Sequence, residues 1–134
     1  MDQLITLKLD RYTNGVYSRA WISEKILYQQ YKPNLVITLD VAFAMAEQRK
    51  KICGAEKFPL ITCSSHLSYI DKDSESYLAS KEACQFIKAE AIYFTTSIAK
   101  WAANFYLLQE NLFVPTKLFI DQEEAINWLK GFKI

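Results

Sequence analysis

An α/β fold on a mixed β-sheet is predicted by three features of this 134-residue chain. Short apolar strands joined by turns fill its first third. Three further strands then each alternate with a helix. The last third runs strand, nearly charge-free helix, strand and capped amphipathic helix almost without loops. The reading is a single domain over residues 1–134, with an antiparallel N-terminal meander, parallel βα units behind it and about four helices. Right-handed crossovers are expected between the parallel strands.

Each element has its own local reason. Ile5, Leu7 and Leu9 alternate with Thr6, Lys8 and Asp10, which is strand patterning over Leu4 to Asp10. Val16 to Ile22 and Ile26 to Lys32 read as the next two strands, with Asn14-Gly15 and Ser23-Glu24-Lys25 at the turns. Asn-Gly is a strong hairpin signal because both residues tolerate positive φ. From Thr38 the period becomes helical, over 38–53. Leu39, Ala42, Met45, Ala46 and Cys53 share a face, Thr38 is placed to cap, and Gly54 stands where a left-handed C-cap is wanted. Phe58 to Cys63 is short and β-branched between polar flanks, as a buried strand should be. A helix over 72–86 starts near Asp71 or Asp73 and turns Ala79, Ala83, Phe86 and Ile87 inward.

Ala89 to Thr95 mixes Ala, Ile, Tyr and Phe without clean alternation, the pattern of a parallel strand covered on both faces. Ser97 is placed to cap a helix over 97–109. Pro115 suits the first residue of a strand ending at Ile120, since it lacks a ladder donor. Asp121 and Glu124 make a capping-box-like pair for a helix over 122–131, whose Ala125, Trp128, Leu129 and Phe132 fall on one face.

Composition narrows the function classes. Hydrophobic residues make up 51% of the chain, enough for one core. Lys plus Arg number 16 against 15 Asp plus Glu, so no net field draws the protein to nucleic acid. The basic run Arg49-Lys50-Lys51 falls in the last turn of a predicted helix, where cations meet exposed carbonyls. Cys53, Cys63 and Cys84 lie in no CxxC or CxxH spacing, and reduced, buried thiols are expected. The N-terminus lacks the basic start and apolar block of a signal peptide, and no apolar run reaches the ~18 residues of a spanning helix. A cytoplasmic protein without a transmembrane segment is expected.

No motif specifies a reaction. His66 follows Cys63-Ser64-Ser65, but sequence adjacency does not give a base the spatial reach and orientation a nucleophile needs. Asp71 with Asp73, and Glu123 with Glu124, sit where helix starts favour carboxylates. Only Gly15, Gly54 and Gly131 occur, so a glycine-built phosphate cradle is excluded. The expectation is a protein that is not an enzyme, with no catalytic residues, cofactor or metal.

Several segments together resemble a known superfamily. They are Ser97 to Tyr106, Val114-Pro115-Thr116-Lys117-Leu118-Phe119, Glu123 to Leu129, the strand Ile26 to Pro33 and the helix start Ile37-Thr38-Leu39-Asp40. These resemble a group of small uncharacterised bacterial proteins of the STAS-like, SpoIIAA-like superfamily, over about residues 17–130. The resemblance implies a SpoIIAA-like fold and a binding role. Its members include anti-anti-sigma factors, switched by phosphorylation of a serine at a helix N-terminus, and lipid-binding CRAL-TRIO domains. In the anti-anti-sigma pattern an Asp-Ser pair followed by Ser-Gly-Leu opens that helix. Here Asp71 matches, Lys72 stands at the phosphoacceptor, and Asp73-Ser74 follow without Gly-Leu, which makes Asp71, Lys72 and Ser74 a degenerate phosphosite region.

The sequence also marks a candidate partner surface. The segment from Ile98 to Leu108 has Lys100 as its sole charge, and its apolar residues spread around most of the circumference. A helix apolar all round is buried on more than one side. Trp101, Asn104, Phe105 and Leu108, with Leu112 and Phe113 in the following loop, therefore form the candidate interaction surface. The function read from the chain is a non-enzymatic STAS-like interaction module with a protein partner or a homodimer. A small apolar-ligand or lipid-binding protein of CRAL-TRIO-like type is the alternative.

Overall fold

Strands β1 (Arg11–Asn14), β2 (Ser18–Ser23) and β3 (Ile26–Tyr31) form an antiparallel meander, with Trp21 opposite Tyr28 and Tyr12 opposite Trp21. The computed structural model describes residues 11–63, 67–94 and 112–133. The chain then passes through β4 (Leu35–Ile37), α1 (Leu39–Cys53), β5 (Phe58–Cys63), β6 (Leu67–Ile70), α2 (Lys72–Leu78), β7 (Ile87–Tyr93), β8 (Thr116–Phe119) and α3 (Gln122–Lys130). Among the described residues the main sheet has the order β1-β2-β3-β5-β7-β8, parallel from β3 onward. β4 and β6 form a separate parallel pair. The mixed sheet, antiparallel then parallel, is the one the sequence predicts.

The two turns of the meander divide the work differently from their sequence signals. Positive φ falls on Glu24 (50°) and Lys25 (66°) in the two-residue β2–β3 turn, while Gly15 does not adopt it. Left-handed backbone costs a non-glycine residue about 1–2 kcal/mol. The long register from Ser18 opposite Tyr31 to Ser23 opposite Ile26 leaves two residues to close the hairpin, so packing overrides local preference. At Gly15 the chain instead closes a wider turn, its N–H donating to Ser18 O at 2.9 Å, and a Cβ there would sit 2.8 Å from Gln48 Nε2. Gly54 does take positive φ (66°) after α1, and its N–H donates to Lys50 O.

Three expectations are corrected. The helix expected over 72–86 ends at Leu78, and 79–86 continues as turns. The Ser80 hydroxyl donates to Tyr77 O at 2.5 Å and its N–H bonds the same carbonyl at 3.0 Å, a tightened end that stops α-helical pairing. Leu39, assigned to the inner face of α1, is 39% exposed. That face is made by Val41, Ala42, Met45, Ala46, Arg49, Ile52 and Cys53. Thr38 occupies the cap position of α1 without a side-chain cap bond. The expected helix over 97–109 and strand over 4–10 lie outside the described residues.

Helices cover both faces of the sheet. On one, Trp21, Tyr28, Ile61, Ala91 and Phe119 pack against Ala125 and Leu129 of α3, with Trp21 and Tyr28 stacked at 5.4 Å. On the other, Ala20, Ile22, Leu27 and Leu60 meet Ile52 and Cys53 of α1, and Tyr31, Leu35 and Ile37 meet Val41, Met45 and Leu78. Each fully buried aliphatic side chain contributes roughly 1.5–3 kcal/mol.

A polar layer interrupts this second face. Gln29 and Thr62 are register partners on β3 and β5, and Glu90 lies on the adjoining β7. Arg49 reaches them from α1 with 1% of its side chain exposed. Its Nε donates to Gln29 Oε1 at 2.8 Å, and its Nη2 lies 3.9 Å from Glu90 Oε2. The Thr62 hydroxyl donates to Glu90 at 2.9 Å. Gln29 Nε2 donates to Met45 O at 3.2 Å, and Gln48 Nε2 donates to Ser18 O at 2.9 Å. Burial alone would lower the pKa of Arg49. The Glu90 carboxylate, with smaller help from Cys84, Tyr31 and Cys53, outweighs it and leaves the guanidinium more firmly charged than usual.

Removing one partner of a buried ion pair leaves the other uncompensated. Arg49→Met is expected to lower the unfolding free energy by about 3–5 kcal/mol, and Arg49→Met with Glu90→Leu to recover most of that loss. Urea unfolding followed by circular dichroism checks this; a single variant within about 0.5 kcal/mol of the parent, the range of ordinary surface substitutions, would contradict it.

Candidate functional site

The parallel pair β4 and β6 brings the starts of α1 and α2 side by side. Val36 and Tyr69 are register partners, and Asp71 N–H donates to Ile37 O at 3.4 Å where the two chains leave their strands. Leu35 and Ile37 point inward and are buried, so the alternation of a strand turns Val36 outward. Tyr69 is outward as well, at 54% exposure. Leu39 and Phe43 are one turn apart on α1, and Phe43 meets Tyr77 of α2 edge to face with ring centres 4.6 Å apart. Val36, Leu39, Phe43 and Tyr69 are each between 39% and 54% exposed, so apolar side chains from three elements lie open around one end of the fold.

The same end carries the degenerate phosphosite region. Asp71 caps α2, its Oδ1 accepting from Ser74 N–H at 2.8 Å, which is the structural role its position implies. Lys72 is exposed, but Ser74 is fully buried, so the nearest aligned hydroxyl faces the interior. Tyr77 donates to Glu82 at 2.7 Å; burial first and this bond second push its pKa up to about 12.

Of the predicted surface, Trp101, Asn104, Phe105 and Leu108 lie outside the described residues, as does His66. Leu112 is half-buried and Phe113 is 51% exposed, its N–H donating to Ala79 O at 3.1 Å. The loop is thus tied to the turn following α2. Cys53, Cys63 and Cys84 are buried and in no disulfide, and burial pushes the Cys53 and Cys84 thiols up to about 11, far from a reactive thiolate. Among the described residues no cluster of three His, Cys, Asp or Glu is placed to hold a metal. No helix among them is long and apolar enough to cross a membrane.

Sequence reasoning missed two things. Arg49 was placed on the solvated end of a helix, although its i−3 and i−4 neighbours Ala46 and Met45 were already assigned inward, which was the available signal. The exposed set Val36, Leu39, Phe43 and Tyr69 left no signal, because it depends on β4 and β6, each too short to show a period.

This arrangement of antiparallel and parallel strands with helices on both faces is a SpoIIAA-like fold. A solved structure of an uncharacterized DUF3478-family protein with a SpoIIAA-like fold, from Shewanella loihica PV-4, superposes with a TM-score of 0.56 at 14% identity, covering 96% of this chain and 98% of that one. A family model described as a domain of unknown function, DUF7793, matches residues 20–133, and the chain belongs to that family. No curated protein matches it.

The geometry of α2 makes a specific statement about modification. With lysine at position 72 and the Ser74 hydroxyl enclosed, protein isolated from its native cells is expected to carry no stoichiometric phosphate at Ser74 or at the exposed Ser76. Intact-mass and peptide mass spectrometry read this directly. A fully phosphorylated Ser74 or Ser76 with altered partner affinity would contradict it, since a phosphate carries up to two negative charges that need solvent or a cationic partner.

Proposed function

We propose that this chain is a non-enzymatic protein-interaction module of the STAS-like kind, acting from the cytoplasm through a protein partner or a second copy of itself. The observation that supports it most is the open apolar cluster of Val36, Leu39, Phe43 and Tyr69. Large apolar side chains exposed together are uncommon on monomers and mark contact surfaces, and aromatic residues are enriched at interface centres. The predicted surface around Trp101 and Phe105 belongs to the same proposal through Phe113, its exposed described member.

A small apolar-ligand carrier of CRAL-TRIO-like type is the second reading. What favours it is a groove of about 590 Å³ between the β1–β2 hairpin and α1, where Tyr12, Val16, Tyr17, Ala44, Met45 and Ile52 share the lining with Arg11, Glu47, Gln48 and Lys51. That volume falls within the range of small-molecule sites, although such sites bury most of their ligand and this one is an open groove.

Capture of tagged protein from its native cells separates the readings. Phe43→Asp with Tyr69→Asp is expected to stay folded by circular dichroism, since both sites are open to water, and to lose a protein that the parent retains. Retention of the same proteins by parent and variant would contradict the interaction reading at this surface. A lipid co-purifying with both, seen by native mass spectrometry, would favour the carrier.

A further inference from the structure

We infer that the apolar end formed by β4, β6 and the starts of α1 and α2 binds a polypeptide segment in which apolar side chains are flanked by lysine or arginine. This rests on the interaction reading and adds the chemistry of the partner. The two segments that build the surface, 36–47 and 69–78, hold Asp40, Glu47, Asp71, Asp73 and Glu75 against Lys72 alone, in a chain whose formal net charge is +1. The bias is therefore local to this end. Glu82 adds a further exposed carboxylate beside the exposed Lys81, held to Tyr77 by its hydrogen bond, and Glu47 acts on the same tyrosine electrostatically against a smaller opposing effect of the buried Arg49. Lys50 offsets part of this at 3.6 Å from Glu47.

Aromatic and acidic groups are interleaved here. Phe43 and Tyr77 pack at right angles between Glu47 and Glu82, and Tyr69 stands beside the strand end that leads to Asp71. A cation over an aromatic face gains roughly 0.5–1 kcal/mol at an exposed site, and nearby carboxylates add to that attraction. The same charges repel phosphate-rich partners, so a nucleic acid or an anionic membrane is disfavoured on this face. Apolar contact in the middle with acid at the edge fits a cationic, amphipathic stretch of another protein.

The test uses the whole protein, isotope-labelled for NMR, with three synthetic amphipathic peptides sharing one apolar pattern and carrying lysine, glutamine or glutamate at the polar positions. The lysine peptide is expected to shift the signals of Val36, Leu39, Phe43 and Tyr69, with an affinity that falls as salt rises because exposed charges are screened. Glu47→Lys with Glu82→Lys, neither at a helix N-terminus, should weaken the lysine peptide by about tenfold and let the glutamate peptide bind in its place. Equal or tighter binding of the glutamate peptide to the parent would overturn the charge assignment while leaving an apolar interface standing. No shift at these residues with any peptide would overturn both. Binding of the parent to phosphatidylcholine vesicles containing phosphatidylserine, with shifts at the same residues, would overturn the choice of a polypeptide partner.

Discussion

One buried cation organises the α1-covered face of the sheet that leads to the candidate site. Arg49 enters the polar layer of that face and finds Gln29 on β3 and Glu90 on β7, with Thr62 of β5 bonded to that same carboxylate. Three strands and one helix are thereby committed to a common register. Slipping any strand by one residue would turn its polar side chain to the α3 face and leave the guanidinium without compensation. Apolar packing alone tolerates rearrangement, whereas a buried charge with directional partners does not. The Gln48 and Gln29 side chains extend the same constraint to β2 through Ser18, so the antiparallel and parallel halves of the sheet are tied beneath one helix.

That constraint bears on function because α1 spans from the polar layer to the open apolar end. Its later turns carry Gln48 and Arg49, and its first turns carry Leu39 and Phe43. Helix α2 is short and is held at its start by Asp71 and at its end by Ser80, with Phe43 and Tyr77 joining the two helices across their exposed sides. The surface is therefore built largely on elements fixed from below rather than on a free loop. Sites held on packed helices and strands need little reordering to bind, which reduces the entropy a partner must overcome.

Much of the architecture was legible because it rests on long periodic segments and on caps. The spacing of Ala42, Met45 and Ala46, the Asp121 with Glu124 pair and the β-branched run at Phe58 to Cys63 each state an element through local chemistry. The superfamily resemblance carried the topology. What failed depended on contacts between distant segments. Asn14-Gly15 advertised the positive-φ turn that register placed at Glu24 and Lys25, and Ser80 ended a helix that periodicity carried to 86. Arg49 reads with Lys50 and Lys51 as a cation at the exposed carbonyls of the last helical turn, although Met45 and Ala46 put its face inward. The surface at Val36, Leu39, Phe43 and Tyr69 required the pairing of two strands of three and four residues, which no single-segment pattern reveals.

The claim on which the rest depends is that the Arg49 guanidinium is buried, charged and bonded to Gln29, thereby fixing α1 against the sheet. Its side-chain Nε–H proton, observed by NMR in the unmodified protein, reports this most directly. The structure predicts a proton that exchanges with water far more slowly than that of an exposed arginine and gives a through-space contact to the Gln29 side chain, since Nε donates to Gln29 Oε1 at 2.8 Å with 1% of the side chain exposed. A proton exchanging at the rate of an exposed arginine, without that contact, would contradict the account.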